Sequence, residues 1–407
     1  MKIRRLILWL FFLMLPFQRA QAWDLEDHRL LSRLALKSVA HDRWLNQPCE
    51  IHPLQSLLNK LGQIRPELGD AWHFADYLKI NPKINLEAVD PSLKDRRSVT
   101  PLEILSAYSV DPDDGRDQDL FIRDARGIPH YAYPDQKWFG AMTGGNSQAF
   151  RHIEKPPFTL SHPVSTFGFP FGKVGEATSR VEIYFQVSLL AFSLHEDYWG
   201  WRFLANALHY LEDLHQPYHT GQITPDLLLR GLRAYVSWGH KKLGFMGTFS
   251  HLMSNSHRFY ESYVDHPGPL HSSSYRLKEE ALQSVQAIDV VPLPGSIGDF
   301  AAQVRDRSNL LFPRLTSDIT ELTTPELLGE RTYLSDGDNA DNPLDYLKKG
   351  PSFDSINEEI FKITQERFVS AGRTIRTIVQ AIVQTKDLKK TEEVLNTLDQ
   401  LLQPTSS

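Results

Sequence analysis

An all-α fold, built as a single multi-helix domain, is what the sequence predicts, and three observations carry that prediction. Apolar residues recur at three- and four-residue steps through several long segments. Strand-like alternation is scarce, and Pro, Gly and Ser gather in clusters between the periodic stretches. With 41% hydrophobic and 23% charged residues and no low-complexity tract, the chain has the composition of a folded globular protein rather than a disordered one.

The chain opens with the layout of a secretory signal peptide over residues 1–22. Lys2, Arg4 and Arg5 give a basic start, Leu6 to Phe17 an apolar run, and Ala20-Gln21-Ala22 the small residues a signal peptidase reads. The run is too short to span a bilayer, so cleavage is expected, with a secreted or periplasmic destination and no transmembrane segment in the mature chain. About 385 of the 407 residues would remain, enough for one large domain, and the net charge would move from −6 to about −10. So acidic a chain has no global attraction for polyanions, which disfavours nucleic acid as a partner. Cys49 is the sole cysteine, which excludes an intrachain disulfide and a thiolate metal cluster. Stability must then come from the core and from any bound metal.

Helices are expected in order along residues 23–385. The first, Trp23 to Val39, interleaves Leu25, Leu30, Leu31, Leu34 and Leu36 with charges. A polar stretch over 111–175 is long for a loop, and runs of that length are functional or disordered. Val181 to Leu214 is a long aromatic-rich helical stretch, broken near His195-Glu196-Asp197. Loops are expected at 264–274, 291–298 and 335–352. Ile360, Ile363, Phe368, Ala371, Ile375, Ile378 and Ile382 mark one face of a further helix, and 386–407 reads as a loose C-terminal helix or tail.

Chemistry concentrates in Leu208-His209-Tyr210-Leu211-Glu212-Asp213-Leu214-His215-Gln216-Pro217-Tyr218-His219. His209 and Asp213, four apart on a helix, leave the same face one turn apart and can share a metal ion. Pro217 breaks the helix, so the next turn can bring His219 back to that ion, while His215 projects off the face as a bystander. Imidazole with carboxylate suits zinc in an open site, because structural zinc sites more often use cysteine. A second pair at the same spacing, His257 and Glu261, follows 48 residues later. Cleavage after Ala22 would expose the α-amino group of Trp23, which with its carbonyl can chelate a metal.

These segments together resemble the bacterial zinc-dependent phospholipases C, whose fold is shared by fungal single-strand nucleases. Members begin at a mature Trp and carry a helix reading His-Tyr-Leu-Gly-Asp, then Gln-Pro and a His, then a later His with an acidic residue four positions on. Here these stand as His209 to Asp213, Gln216-Pro217-Tyr218-His219, and His257 to Glu261, over a resemblance spanning roughly residues 23–265. It implies a cluster of three zinc ions held by Trp23, His28, Asp113, His130, His209, Asp213, His219, His257 and Glu261. Asp113 is placed by the Pro112-Asp113 turn, with Asp111 and Asp117 left open. His130 is placed by the motif His130-Tyr131-Ala132-Tyr133-Pro134-Asp135; His152 fits the distance to His209 better but lacks that motif. Departures are Glu212, where glycine is usual, the long stretch after His130, and roughly 90 residues before the last helix that do not align.

The activity so implied is that of an exported enzyme: zinc-assisted hydrolysis of phospholipid phosphodiesters by a monomer at a membrane surface. Zinc lowers the pKa of bound water and neutralises phosphate, and Asp113 is the carboxylate expected to take the water's proton. Glu26 resembles a family Glu beside the substrate headgroup, although an acidic first turn of a helix is also favoured by the macrodipole. The alternatives are a single-strand nuclease or 3′-nucleotidase on the same metals, favoured by the close Trp23–His28 spacing, and a zinc-stabilised periplasmic protein without catalysis. Asp336-Gly337-Asp338 lacks the spacing and terminal Glu of an EF-hand, and Gly144-Gly145 reads as a turn rather than a phosphate cradle.

Overall fold

The computed structural model describes residues 25–37, 43–80, 86–113, 122–123, 129–130, 151–155, 174–221, 224–237, 244–265, 295–324, 346–348 and 350–403. Among them the fold is all-α, as the periodicity predicted. Five helices come first: α1 (Leu25–Lys37), α2 (Arg43–Asn46), α3 (Leu54–Ile64), α4 (Ala71–Tyr77) and α5 (Pro101–Tyr108). Then come α6 (Ala177–Ser193), α7 (Asp197–Asp213), α8 (Pro217–Thr220), α9 (Pro225–Ser237) and α10 (Gly244–Asp265). The chain closes with α11 (Ile297–Leu322), α12 (Phe353–Thr385) and α13 (Thr391–Leu402). Three antiparallel pairs of two-residue strands staple the connections: β1 (Cys49–Glu50) with β2 (Ser98–Val99), β3 (Ile122–Arg123) with β4 (Pro129–His130), and β5 (Glu154–Lys155) with β6 (Val174–Gly175).

The axis of the fold is α7, in which every residue from Tyr198 to Asp213 is buried. It packs along α6 and also meets α1, α5 and α12. Each buried Leu or Phe of such a helix contributes about 1.5–3 kcal/mol, which a helix this apolar cannot recover on a surface. The expected break in the 181–214 stretch falls at Leu194–Glu196. His195 adopts the left-handed conformation there (φ 56), and Lys60 Nζ donates to the carbonyls of Leu194 and His195 at 3.0 and 3.2 Å. Local sequence sets the helix starts. Thr100 and Glu103 form a reciprocal capping box ahead of Pro101, and the Asp70 and Ser296 side chains cap α4 and α11.

Two segments differ from the sequence expectation. The C-terminal helix is packed rather than loose: α13 buries Val394, Leu395 and Leu398 against α6, and Asp399 accepts from Arg65 at 2.8 and 2.5 Å and from Tyr77 at 2.9 Å. The guanidinium holds the Asp399 carboxyl below its usual range. The loop expected at 291–298 ends in a helix start, because α11 runs from Ile297 for 26 residues with Pro313 inside it. That helix packs on α6, α8, α10 and α12 and buttresses the region after α7. No helix among the described residues is long and apolar enough to cross a membrane.

Candidate metal centre

Potential metal ligands from six separate segments converge at the C-terminal half of α7. The first group comprises His28, Asp113 and His209; the second His152, His209 and Asp213; the third His219, His257 and Glu261. Within each group one potential ligand atom per residue lies within 4.8 Å of the others. His209 and Asp213 emerge one turn apart from the buried face of α7, as the i,i+4 spacing requires, with Nε2 and Oδ2 separated by 3.3 Å. Around Asp213, Oδ2 lies 2.7 Å from His152 Nδ1, and Oδ1 lies 3.8 Å from His28 Nε2 and 3.9 Å from His219 Nδ1. Asp113 lies 3.5 Å from His152, 3.7 Å from His209 and 3.8 Å from His28. In the third group His257 Nε2 and Glu261 Oε1 are 3.0 Å apart.

Each segment has a physical reason to be there. His209 Nδ1 donates to the Ser109 carbonyl at 2.7 Å; that oxygen can only accept, so the Nε2 lone pair is left facing the centre. His219 Nδ1 likewise donates to the His152 carbonyl at 2.6 Å. Such outer partners fix the tautomer and aim of metal-ligating histidines. Asp111 is committed elsewhere: Arg202 donates to it at 3.0 Å while its guanidinium lies 4.0 Å above the Tyr108 ring. That pair anchors the turn after α5 and leaves Asp113 to reach the centre. Asp117 lies outside the described residues.

His152 enters from a short segment pinned on both sides. Arg151 donates to the Lys79 carbonyl, Glu154 accepts from Thr178 N at 2.8 Å and from Arg305, and the Ile153 carbonyl accepts from Glu176 N and Ala177 N at 3.0 and 3.2 Å. Gly175 makes this possible. It sits at φ 92, and a Cβ there would fall 2.0 Å from the Ile153 carbonyl oxygen. The His219 turn is held by α11: Ser308 donates to the His215 carbonyl at 2.9 Å and Asn309 to the Thr220 carbonyl at 2.5 Å.

The electrostatics are those of a site built for cations. His28, Asp213 and His219 are fully buried, and His28 Nε2, Asp213 Oδ1 and His219 Nε2 have no hydrogen-bond partner among the described residues. Burial, with the Glu261 charge nearby, pushes the Asp213 carboxyl far up. Burial also pulls the His209 and His219 imidazoles far down, and His28 down to about 3, with His152 adding to the last. Lys155, three residues past His152, is itself pushed down to about 8 by burial. Carboxyls and imidazoles that resist their own charges are stabilised together by a bound cation. Zinc bonds of about 2.0–2.2 Å in a tetrahedron set ligand atoms roughly 3.3–3.6 Å apart, and the separations here bracket that spacing. The residues fit zinc.

Of the residues singled out in the sequence, His28, Asp113, His209, Asp213, His219, His257 and Glu261 all come together. His152, the alternative to His130, lies in the second group beside His209 and Asp213. Of His130 only the backbone is described, paired with Ile122, and its side chain lies outside the described residues. Trp23 and the Glu26 side chain also lie outside them. His215, the bystander of the sequence reading, belongs to none of the three groups; it is fully buried in the core, with Nε2 2.9 Å from Thr374 Oγ1. Sequence reading missed Glu212 and Ser32 as partners of the site: His28 Nδ1 lies 2.5 Å from Glu212 Oε2, and Ser32 donates to Oε1 at 2.9 Å. The signal was there in part, since Glu212 departs from the glycine of the resembled motif and Ser32 follows His28 by one turn. Comparison of the chain with protein-family models, curated proteins and solved structures finds no match.

Proposed function

We propose that this is an exported trinuclear zinc phosphodiesterase, a phospholipase C acting on glycerophospholipid headgroups. The observation that carries the reading is the set of three ligand groups gathered around Asp113 and Asp213 in one buried centre. All their donors are imidazole or carboxylate, the set that suits zinc in an open, reactive site. Zinc held there would supply Lewis acidity, activating water and neutralising phosphate. The amine and carbonyl of Trp23, five residues before His28, would complete the set. Asp113, whose oxygens face three histidines, would take the proton of the attacking water and return it to the departing diacylglycerol oxygen. No covalent nucleophile is needed, and the single thiol is unsuited to the role: burial pushes Cys49 up to about 12, and it donates to the Val99 carbonyl. Glu26 would meet a cationic headgroup.

A lipid substrate is favoured over nucleic acid by the helix after the His219 turn. On α9, Leu227 and Gly231 face inward, while Leu229, Leu232 and Val236 form one outward stripe, exposed by 46, 48 and 71%. Arg230 and Arg233 flank it, a pairing of apolar stripe and cations that suits an anionic bilayer surface. The nuclease reading keeps one argument, the Trp23–His28 spacing. The deciding experiment combines elemental analysis of the mature protein with hydrolysis of phosphatidylcholine and of single-stranded DNA. Diacylglycerol release that chelators abolish and zinc restores is the expected result. Nucleotide release without diacylglycerol would move the protein to the nuclease branch, and metal without either activity to a zinc-stabilised scaffold.

A further inference from the structure

We infer that Glu212 is a positioning residue for the metal centre, a carboxylate clasp that holds His28 to α7 and aims its Nε2 into the first ligand group. The inference rests on the metal reading of the site and concerns a residue to which that reading gives no ligand role. Glu212 is fully buried on α7, next in sequence to Asp213 but directed at α1. Its two oxygens engage two residues one turn apart on that helix: His28 Nδ1 at 2.5 Å and Ser32 Oγ at 2.9 Å. The partners are 184 and 180 residues away in the chain, so no local backbone geometry sets these contacts.

A carboxylate that accepts from Nδ1 fixes the ring's tautomer and plane and strengthens Nε2 as a donor to metal. His28 Nε2, the atom so aimed, is 3.8 Å from both Asp113 and Asp213 and has no hydrogen-bond partner among the described residues. The His28 and His209 rings are stacked at a tilt, 4.2 Å between centroids, so a rotation of His28 would also disturb the ligand shared by two groups. His209 and His219 use backbone carbonyls for the same purpose. A His on α1 facing α7 has side chains rather than a helix's bonded carbonyls opposite it, so the acceptor must come from a side chain. A glycine at 212 would leave Nδ1 without this partner, and Ser32 ties the second carboxylate oxygen so that the clasp cannot swing away.

The test uses the full mature chain loaded with zinc, and measures zinc retained per chain against increasing chelator for wild type, Glu212→Met, Glu212→Gln and Ser32→Ala. Met fills the volume without an acceptor, and Gln keeps an acceptor for Nδ1–H. Glu212→Met is expected to weaken one zinc position by about 10–100-fold, as loss of an outer partner does elsewhere, with the remaining zinc held as in wild type. Glu212→Gln should recover most of that loss, Ser32→Ala should show a smaller loss at the same position, and Glu212→Met in a His28→Ala background should add nothing further. Unchanged zinc affinity in Glu212→Met, or equal loss in Met and Gln, would overturn the positioning role. A wild type that holds no zinc would overturn the metal reading itself, and with it this inference.

Discussion

Replacing Gly221 by Ala tests how the fold holds His219, and two opposing effects decide the sign. Gly221 lies in ordinary extended backbone (φ −93, ψ 136), so an Ala there suffers no conformational strain. On backbone entropy alone the change would stabilise the protein by about 0.4–1 kcal/mol. The structure predicts the reverse. A Cβ at 221 would fall 1.9 Å from Cγ of Phe312 and within 2.4 Å of both adjacent ring atoms. Phe312 is buried on α11, its ring edge-on to Tyr218 at 5.3 Å, and Tyr218 stacks on His257 at 5.5 Å. The methyl must therefore displace either the ring, and through Tyr218 the candidate ligand His257, or the turn that carries His219. Overpacking of this kind costs about 1–3 kcal/mol, which outweighs the entropic gain.

Urea denaturation of Gly221→Ala, Phe312→Ala and the double variant measures the effect directly. Phe312→Ala alone should cost about 3–5 kcal/mol through the cavity it leaves. In the double variant the new methyl enters that cavity, so its loss should be smaller than the sum of the singles by about 1–3 kcal/mol. Zinc titration should also show weaker binding at one position in Gly221→Ala, restored in part by the second change. A stabilised Gly221→Ala, or strict additivity, would refute the argument that the ring and the turn are in contact in solution.

Four further outcomes follow from the geometry. His152→Ala should lose zinc and activity together, as His209→Ala and Asp213→Ala should, whereas His130→Ala should keep wild-type zinc on elemental analysis. His215→Ala should keep its zinc but unfold at lower urea by about 1–3 kcal/mol, because the change opens a hole in the core and strips the Thr374 hydroxyl of a partner. In metal-free protein the His28 imidazole, lowered to about 3 from 6.5, contributes stability that is complete above pH 6.5 and lost as the pH falls toward 3. His28→Asn should therefore flatten the acid limb of the urea midpoint against pH, by up to about 5 kcal/mol. Leu232→Glu should reduce sedimentation with anionic phospholipid vesicles several-fold while leaving hydrolysis of a soluble aryl phosphodiester unchanged.

The parts of this centre legible in the sequence are those in which one helix does the positioning. His209 with Asp213, and His257 with Glu261, are fixed to a common face by helical geometry alone, and Pro217 announces the turn that returns His219. Long apolar periodicity gave α6, α7 and α12 for the same reason: a period of 3.6 residues is a local property of the chain. What stayed hidden depends on partners distant in sequence. His152 has no periodic context. Its place is set by a two-residue strand, by a left-handed Gly175 that lets the backbones meet, and by Arg305 from α11. The motif around His130 was the stronger local signal, and local signal is silent about the tertiary contacts that draw His152 inward. Likewise α11 was obscured by Pro313, whose ring disfavours a helix interior, though the packing of Phe312 and Leu315 on either side outweighs that penalty. Docking of α13 turns on Arg65 and Tyr77 meeting Asp399 across more than 300 residues.

The clasp formed by Glu212 joins both kinds of information. Its position on the buried face of α7 follows from helical period, next to Asp213, a candidate ligand that the sequence marks plainly. Its function follows only from the docking of α1, which brings His28 and Ser32 to its two oxygens. A glutamate buried where the resembled motif has glycine would be a severe liability without those partners, since an unpaired buried carboxylate costs several kcal/mol. With them it fixes the ring of His28. The departure from the motif is thus accompanied by a matching feature elsewhere, Ser32 one turn after His28, and the pair should be read as one structural unit. Exchanging both together, Glu212→Gly with Ser32→Ala, should leave zinc affinity no lower than Glu212→Gly alone, because Ser32 has no role at the centre except through that carboxylate. A further loss in the double variant would mean that Ser32 supports His28 by a second route and that the clasp is not the unit described.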